Sequence, residues 1–562
     1  MSGSPPYDEA GPGPSFLTER RAMLIAVLVA LLYAAILWQS APAMGFTRDE
    51  GYYFKAADEY SGWWGTVFSR RFFAAFSDDE IKRFMSYNTE HPASVKIFFG
   101  VTHAFFHDLL GVASHTQGYR AGGFIFAALS LFATFLLGRL LVNKEVGLLA
   151  MLLLATIPRY FYDAHLACFD VPITALWALS LWGFWRAFIA MSSAHGRKRK
   201  ALVAGLIFGW GLATKLNALF LPVVFVFVWL WTFPFGQIRF SRGPSGGRDL
   251  VLPAIPWVLI SCAIVGPIVF YLMWPYTWHD PIGRIGGYIA FHLHHEHYPI
   301  AYFHQILIKP PFPTEFPFVM TLFTAPLPLI VLGTFGLVVS LWRMFWRRSG
   351  DDALLFAATM LPFILLTLPS TPIFGGVKHW YNAMPTLCIV AARAGIDGAR
   401  AIALRWPRQT PVLVTAMLAL CLLPGALGIA RSHPYGIGYY NEVAGGFRGG
   451  AELGMQRTFW GGATGDLMPK IAELKGPSMV YFHETNYDAY RFYERDGRLP
   501  PNVYYANDPK GDLAAGVSYA MPEFEEKEGE VWSMLGTKPV MGTYQHNVWM
   551  TQLYVKDGKL SP

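Results

Sequence analysis

Apolar runs of about 17 to 25 residues without charge recur along this chain, and each is long enough to cross the hydrocarbon core of a bilayer. Only 15% of the 562 residues are charged, whereas 53% are hydrophobic. A typical soluble domain carries roughly 25% charged residues. The sequence therefore predicts an α-helical polytopic membrane protein. The net charge of +7 comes from basic residues in short loops beside the apolar runs. Such residues orient spans, so we expect no nucleic-acid partner.

The side on which each loop lies follows from the positive-inside rule, because Lys and Arg accumulate in cytoplasmic loops. The basic stretches assigned to the cytoplasm are residues 19–21, 139–144, 197–200, 239–248, 343–348 and 400–408. Residues 92–112 then become a juxtamembrane helix on the outer face, since polar side chains interrupt them. These interruptions are Lys96, His103, His107 and Asp108. Residues 201–233 have basic flanks at both ends, so they form a hairpin with Lys215 near its outer apex.

This assignment predicts about eleven spans in an integral plasma (inner) membrane protein, with the N-terminus inside and the C-terminus outside. The spans lie near residues 22–40, 119–142, 145–160, 170–190, 201–214, 216–232, 251–273, 317–341, 353–370, 382–396 and 411–430. Three domains follow: a disordered cytoplasmic N-terminus (1–20), a transmembrane domain (21–430) and a small extracytoplasmic α/β domain (431–562). The α/β assignment depends on a strand-like alternation at 478–482 and a helical pattern at 487–494.

Ionisable residues gather at the outer ends of the predicted spans, where charge near lipid is tolerated mainly when it is paired or functional. Asp49 and Glu50 directly follow the first span. The topology places on the same face Glu90, His91, Arg120, Arg159, Asp163, Asp170, Lys215, residues 292–297, Lys378 and His379. Carboxylates and cations thus converge from distant parts of the chain.

This mixture of side chains suits the transfer of a sugar from a lipid phosphate. A carboxylate can take the proton of an incoming hydroxyl or amine, and cations can hold the departing phosphate. Arg binds phosphate through a bidentate fork, whereas Lys acts as a point charge. The alternative interpretation is structural: an ordinary pair of helix-terminal carboxylates, and cations whose side chains snorkel to the membrane interface.

The order of several short motifs resembles glycosyltransferase family 39, which includes protein O-mannosyltransferases and lipid A aminoarabinose transferases. The motifs are Asp49-Glu50, Glu90-His91-Pro92, Tyr119-Arg120, Asp170-Val171-Pro172, Gly211-Leu212-Ala213-Thr214-Lys215 and Phe374-Gly375-Gly376-Val377-Lys378-His379-Trp380-Tyr381. The resemblance covers approximately residues 21–431. It implies the C-type membrane glycosyltransferase fold, with 21–430 as the glycosyltransferase domain. The tail segments around 433–446 and 459–461 are similar to those of bacterial members with a short outer domain.

The resemblance also implies roles for individual residues. Asp49 is the expected general base, and Glu50 orients it or touches the sugar. The residues expected to bind the donor or its phosphate are His91, Arg120, Arg159, Asp170, Lys215, His295, Glu296, His297, Lys378 and His379. No cofactor and no metal ligands are assigned. A divalent cation at the histidine-rich segment 292–297 stays the alternative, although no second cluster with ligand spacing accompanies it.

These expectations describe an inverting glycosyltransferase that takes a sugar from a polyprenyl-phosphate donor to a hydroxyl or amine acceptor on the extracytoplasmic face. A transporter or flippase of a lipid-linked saccharide is the alternative. Such a protein would carry its charges near the midplane and show internal repeats, whereas here the charges gather at one face and the sequence shows no repeat. Eukaryotic protein O-mannosyltransferases carry β-trefoil repeats in a loop where this chain has only residues 274–316, so the acceptor class and the sugar stay open.

Overall fold

The computed structural model describes residues 17–191, 196–233, 239–242, 248–251 and 255–560. Most of the segment expected to be disordered, residues 1–20, lies outside the described residues, which begin at residue 17. The end of that segment belongs to the first helix instead, because this helix begins at Glu19. The hydroxyl of Thr18 accepts a hydrogen bond from the backbone N–H of Arg21 and caps the helix.

Helices account for most of the described residues. In chain order they are α1 (Glu19–Ser40), α2 (Arg48–Val67), α3 (Asp78–Met85), α4 (Ser94–His103), α5 (His115–Leu141), α6 (Lys144–Ala155), α7 (Pro158–Ala164), α8 (Asp170–Phe188), α9 (Arg197–Leu212), α10 (Leu221–Thr232), α11 (Trp257–Leu272), α12 (Pro281–Leu293), α13 (Phe316–Thr324), α14 (Leu327–Arg347), α15 (Gly350–Leu366), α16 (Met384–Arg405), α17 (Thr410–Ser432), α18 (Gly446–Glu452), α19 (Met468–Ile471), α20 (Tyr487–Arg495) and α21 (Glu525–Leu535). The strands are β1 (Arg239–Arg242), β2 (Arg248–Val251), β3 (Ile300–Tyr302), β4 (Gln305–Leu307), β5 (Ser478–Phe482), β6 (Val503–Ala506), β7 (Ala515–Tyr519), β8 (Met541–Gln545) and β9 (Val548–Val555).

Four helices in the described part of the chain are long and apolar enough to cross a membrane. They are Glu19–Ala43, His115–Leu141, Leu327–Arg347 and Pro407–Ser432. A fifth is added if α6 and α7, which are bent by 76° relative to each other, count as one broken span. Shorter apolar helices cover Leu216–Thr232 and Trp257–Leu272. The number of eleven spans stays a prediction.

Two predicted spans are broken at prolines. Ile157, which precedes Pro158, is extended with φ −79° and ψ 114°, and it lies with Thr156 between α6 and α7. Ala325, which precedes Pro326, is also extended, so the single span expected at 317–341 is instead the pair α13 and α14. Both breaks have the same cause, because the proline ring disfavours a helical conformation in the residue before it.

Two other predicted features can be compared with the structure. In the stretch 92–112, the 10 residues of α4 continue directly into the 6-residue π-helical turn Ala104–Leu109. Together they are shorter than the roughly 20 residues of a span, and their place on the outer face stays a prediction. In the stretch 201–233, α9 ends at Leu212 and the extended residue Lys215 separates it from the next helical turn. Lys215 therefore lies in the turn between α9 and α10. These two helices pack mainly on α11 and α15, respectively, rather than on each other, and the membrane hairpin with an outer apex stays a prediction.

The helical core is built by close packing of α1, α5, α6, α8 and α16. Where α5 crosses α6, a Cβ on Gly138 would stand 2.9 Å from the Cα of Gly147. Only glycine permits that approach, which is the way many membrane helices pack. At one end of this core Arg139 donates to Glu19 over 2.7 Å. The start of α1 and the end of α5 thus lie together, next to basic stretches predicted to be cytoplasmic.

The C-terminal region adds a five-stranded mixed sheet in the order β6-β5-β7-β9-β8. Strand β5 pairs in parallel with β6 and β7, whereas β9 pairs antiparallel with β7 and β8. The strand and the helix expected at 478–482 and 487–494 are present as β5 and α20. The sheet region contacts the ends of the helices that are far from Glu19. Gln545 donates to the carbonyl of Ser432 at the end of α17, and the Tyr493 hydroxyl accepts from the N–H of Phe46 just before α2.

Candidate active site

The first turn of α2 gives different surroundings to the two adjacent carboxylates, Asp49 and Glu50. Thr47 is the N-cap of this helix, and its hydroxyl accepts a hydrogen bond from the N–H of Glu50. Glu50 in return accepts from the N–H of Thr47 over 3.1 Å, which completes a capping box. The capping box turns Glu50 back toward the start of the helix. The carboxylate of Asp49, the residue before Glu50, stays partly exposed.

Glu50 is held in a buried ion pair with Arg120. The Nε and Nη2 atoms of Arg120 each donate to the carboxylate over 2.7 Å, and Nη2 also donates to the carbonyl of Gly45. The side chain of Glu50 is 0% exposed and that of Arg120 is 2% exposed. The geometry does not support the expected role of Arg120 as a phosphate ligand, because its side chain is only 2% exposed and its Nε and Nη2 already donate to Glu50 and Gly45 inside the protein. The sequence missed this pairing.

Asp49 contacts Lys378, which comes from the distant turn between α15 and α16. Oδ2 of Asp49 lies 3.4 Å from Nζ of Lys378, and the two side chains are 18% and 7% exposed. The ammonium also lies 2.9 Å from the centroid of the Trp460 ring. A tight turn with positive φ at Gly375 and Gly376 places Lys378 there. A Cβ on Gly375 would stand 2.4 Å from Cε of Lys378, so the lysine occupies space that only glycine leaves free.

A second carboxylate and lysine pair joins Asp170 to Lys215. Asp170 is the first residue of α8, and its Oδ1 accepts a hydrogen bond from Nζ of Lys215 over 2.7 Å. Lys215 reaches it from the turn between α9 and α10. Each of the two lysines is therefore paired with one carboxylate: Lys378 with Asp49, and Lys215 with Asp170.

His91 and His379 lie beside these lysines as uncharged imidazoles. Burial and the charges of Lys215 and Lys378 lower the pKa of His379 to about 3, and burial with the charge of Lys215 holds the pKa of His91 well below its usual range. His379 contacts the carbonyl of Phe374, whereas Nδ1 of His91 is buried without a hydrogen-bond partner. Neutral imidazoles here can donate or accept hydrogen bonds without adding charge.

Arg159 lies behind the glycine turn that carries Lys378. Its Nε donates to the carbonyl of Tyr439 over 3.1 Å, and its guanidinium stacks on Tyr440 at 4.9 Å. A Cβ on Gly376 would stand 3.7 Å from Nη1 of Arg159. Nη2 is buried and has no hydrogen-bond partner. Arg159 thus keeps one free donor next to the turn.

The histidine-rich segment is spread out rather than gathered. The ring of His295 lies 4.9 Å from that of Phe374, while the ring of His297 lies 5.1 Å from that of Phe312. Glu296 between them is exposed. Within the described ranges, this segment contributes to no group of three residues that could hold a metal ion. Of the three predicted site residues in this segment, only His295 borders the turn that carries Lys378.

Further contacts of the first turn of α2 were not predicted from the sequence. Nη1 of Arg48 lies 3.7 Å from Oε2 of Glu484, and its guanidinium lies 4.5 Å from the centroid of the Tyr298 ring. Burial raises the pKa of the Glu484 carboxyl, and the charge of Arg48 partly offsets this. Glu484 lies two residues after the end of strand β5, so the C-terminal region contributes to the surroundings of Asp49. No local pattern in the tail marks Glu484, because its partner is far away in the chain.

Comparisons with known proteins bear on this arrangement. Residues 91–260 match the family described as dolichyl-phosphate-mannose-protein mannosyltransferase. That match includes His91, Arg159, Asp170 and Lys215, but neither Asp49 nor Lys378. No curated protein sequence matches the chain.

Solved structures resemble the whole fold. ArnT from Cupriavidus metallidurans bound to undecaprenyl phosphate is 15% identical with a TM-score of 0.51, over 97% of this chain and 100% of that one. The oligosaccharyltransferase AglB from Archaeoglobus fulgidus, in complex with an inhibitory peptide and a dolichol-phosphate, is 12% identical with a TM-score of 0.52. That match covers 92% of this chain and 72% of AglB. The expected resemblance to glycosyltransferase family 39 is thus confirmed over residues 91–260, and the fold is the C-type fold of the ArnT and AglB structures.

Proposed function

We propose that this chain is an inverting glycosyltransferase that transfers a sugar from a polyprenyl-phosphate donor to an acceptor on the extracytoplasmic face of the membrane, with Asp49 as general base. The observation that carries the proposal is the placement of Asp49. It is the partly exposed carboxylate of the α2 turn and contacts Lys378, whereas its neighbour Glu50 is fully buried. The donor class rests on the similar ArnT and AglB structures, which hold undecaprenyl phosphate and a dolichol-phosphate.

The proposed reaction uses Asp49 and the two lysines in turn. The acceptor hydroxyl or amine gives its proton to Asp49 while its lone pair forms a bond to the anomeric carbon of the sugar. The bond from that carbon to the phosphate oxygen breaks on the opposite face, which inverts the configuration. Polyprenyl phosphate leaves with the bonding electrons, and the ammonium groups of Lys378 and Lys215 stabilise its growing negative charge.

The other residues of the site support these three. Glu50 and Arg120 act as positioning residues, because their buried pair fixes the first turn of α2 on which Asp49 stands. Asp170 holds Lys215 in place through its 2.7 Å hydrogen bond. His91 and His379 supply neutral hydrogen-bonding groups next to the phosphate, and Arg159 supplies its free Nη2.

The experiment that tests the function follows the lipid product. The full-length chain is reconstituted in nanodiscs with polyprenyl-phosphate sugars extracted from membranes, and a cell-envelope fraction is added as acceptor. We expect polyprenyl phosphate to appear, as measured by mass spectrometry, only when chain and acceptor are both present. A chain that moves the intact lipid-linked sugar across vesicle membranes and releases no polyprenyl phosphate would instead be a transporter, and the proposal would be wrong.

Replacing Lys215 by Ala is expected to raise the KM for the donor roughly 10–150-fold, the loss that accompanies removal of a hydrogen bond to a charged group. Lys215→Arg should restore only part of this loss, because guanidinium and ammonium differ in shape. The measurement is initial-rate kinetics with varied donor. The control is Lys470→Ala, which removes a lysine that pairs with the exposed Glu473 in the C-terminal region. An unchanged donor KM in Lys215→Ala would leave Lys215 with a structural role alone.

The proposed orientation predicts where reporters fused to the two ends of α17 will lie. This helix is one of the four long apolar helices, with Arg408 just before it and Pro434 just after it. Since Arg408 belongs to a basic stretch, a reporter inserted after it should be cytoplasmic and one fused after Pro434 extracytoplasmic. Cysteine accessibility or a dual reporter assay measures both positions. Reporters on the same side, or on exchanged sides, would contradict the outer location of the site.

A further inference from the structure

Three histidines lie face to face where the chain passes from α4 to α5. His103 ends α4, His107 lies in the π-helical turn Ala104–Leu109, and His115 is the first residue of α5. One ligand atom from each imidazole lies within 4.8 Å of the other two. Among the residues that the structure describes, no other group of three His, Cys, Asp or Glu meets this condition.

The spacing of two of these imidazoles, His103 and His115, is close to that of ligands in a metal site. Nε2 of His103 and Nδ1 of His115 are 3.1 Å apart. In a tetrahedral zinc site with Zn–N bonds of about 2.0–2.1 Å, two ligand nitrogens stand about 3.3–3.4 Å apart. The ring of His107 packs on the other two, with centroids 4.0 Å from His115 and 4.8 Å from His103. A metal ion could therefore replace the proton that His103 and His115 share.

The surroundings prepare the rings for ligation. Nδ1 of His107 lies 2.8 Å from the carbonyl oxygen of Ala113. A carbonyl can only accept, so in the neutral ring this nitrogen carries the proton and Nε2 carries the free lone pair. Oδ2 of Asp108 lies 3.6 Å from Nδ1 of His103, the nitrogen of that ring which does not face His115, and Oδ1 lies 3.9 Å from Nε2 of His107. The carboxylate therefore borders the cluster as a partner of two of its rings. This use of the far nitrogen to fix a ligand ring is common at metal sites.

The backbone also permits the close approach of these rings. Gly118 lies one turn after His115, and a Cβ there would stand 3.0 Å from Cα of His103 and 3.3 Å from Cβ of His107. Any larger residue would push the juxtamembrane turn away from α5. The N–H of Thr116, next to His115, donates to Asp496 at the end of α20 over 3.2 Å. The cluster thus stands where three parts of the chain meet.

We propose that His103, His107 and His115 form a binding site for a divalent transition metal of the zinc class, with Asp108 as an outer partner of the His103 and His107 rings. Three imidazoles suit Zn²⁺, whereas Mg²⁺ and Ca²⁺ prefer shells made of oxygen ligands. The ion ties the connection between α4 and α5 to the start of α5, and so holds the surface to which α20 docks. This inference is independent of the proposed transfer reaction, because none of its four residues belongs to the candidate active site.

The test uses the full-length chain in detergent after removal of metals with a chelator. Zn²⁺ is titrated against a chromophoric chelator, Co²⁺ is added in a parallel sample to record its ligand-field absorption, and the thermal midpoint is measured with and without Zn²⁺. We expect one equivalent of Zn²⁺ bound through this cluster, tetrahedral Co²⁺ bands and a raised thermal midpoint. His107→Ala should lose all three effects. His107 is 27% exposed, so the variant should stay folded, and His107→Asn serves as a second variant that keeps a polar side chain.

The matched control is the double variant His294→Ala/His297→Ala, which removes two imidazoles from the other histidine-rich segment. It should keep the Zn²⁺ equivalent, the Co²⁺ bands and the rise in the thermal midpoint. The proposal is overturned if the native chain binds no Zn²⁺ in the titration. It is also overturned if His107→Ala and His107→Asn fold and bind as much Zn²⁺ as the native chain. Loss of the Zn²⁺ equivalent in the control variant, with that equivalent kept in the two His107 variants, would overturn it as well.

Discussion

Asp49→Asn is expected to lower single-turnover sugar transfer about 10²–10⁴-fold, the usual contribution of a general base. The amide keeps the shape of the carboxylate but cannot take the acceptor proton. Donor affinity should be retained or rise, because Lys378 loses the carboxylate that lies 3.4 Å away and its ammonium becomes free for phosphate. The measurement is transfer from a labelled polyprenyl-phosphate sugar in nanodiscs, with donor affinity followed in parallel.

The matched control for this change is Asp557→Asn, an exposed aspartate near the end of the chain, which should transfer sugar at the native rate. If Asp49→Asn also transfers at the native rate, Asp49 is not the base. If it loses donor binding together with transfer, the residue holds the site together, and the assignment of a proton-transfer role is equally wrong. Slow transfer with retained binding is the result that supports the mechanism.

Arg120→Met should be the most destabilising single change in the candidate site. Arg120 and Glu50 are buried together, so the variant leaves an unpaired carboxylate inside the protein. Breaking a buried pair in this way costs about 3–5 kcal/mol. The free energy of unfolding is measured by titration with a denaturing detergent. The control is Arg448→Met, which removes an exposed partner of Glu452 and should cost no more than about 1 kcal/mol.

The double variant Glu50→Gln/Arg120→Met separates the charge from the packing. It removes the unpaired carboxylate, so it should recover part of the stability that Arg120→Met loses. Its turnover should stay below that of the native chain, since the first turn of α2 is no longer fixed by the pair. A double variant less stable than Arg120→Met would mean that Glu50 stabilises the fold through its capping box rather than through Arg120.

Much of the helical framework could be predicted because its causes are local in the sequence. The length of an apolar run and the charge of its flanks predicted α1, α5 and α17 to within a few residues. The breaks at Pro158 and Pro326 were visible in the sequence as well, since a proline restricts the residue before it. Treating these runs as straight spans gave the wrong outlines of α6–α7 and α13–α14.

The candidate site was predicted less completely because its contacts are made between distant residues. The order of the motifs pointed to Asp49, Lys215 and Lys378, and the structure brings the first and third of these into contact. No spacing rule pairs Glu50 with Arg120, which is 70 residues away. The i, i+4 spacing of His103 and His107 was visible, but His115 joins them only after the turn between two helices. Contacts of this kind depend on how the helices pack, which hydropathy does not encode.

The contact between the start of α2 and the C-terminal region can form only late in the synthesis of the chain. Asn486 donates to the carbonyl of Arg48 over 2.9 Å, and these residues are 438 positions apart in the chain. At a translation rate of about 5–20 residues per second, the second partner emerges roughly 20–90 s after the first. The first spans enter the membrane long before Glu484 and Asn486 exist. A nascent or prematurely terminated chain therefore occupies the bilayer with Asp49 in place but without the neighbours that complete its surroundings.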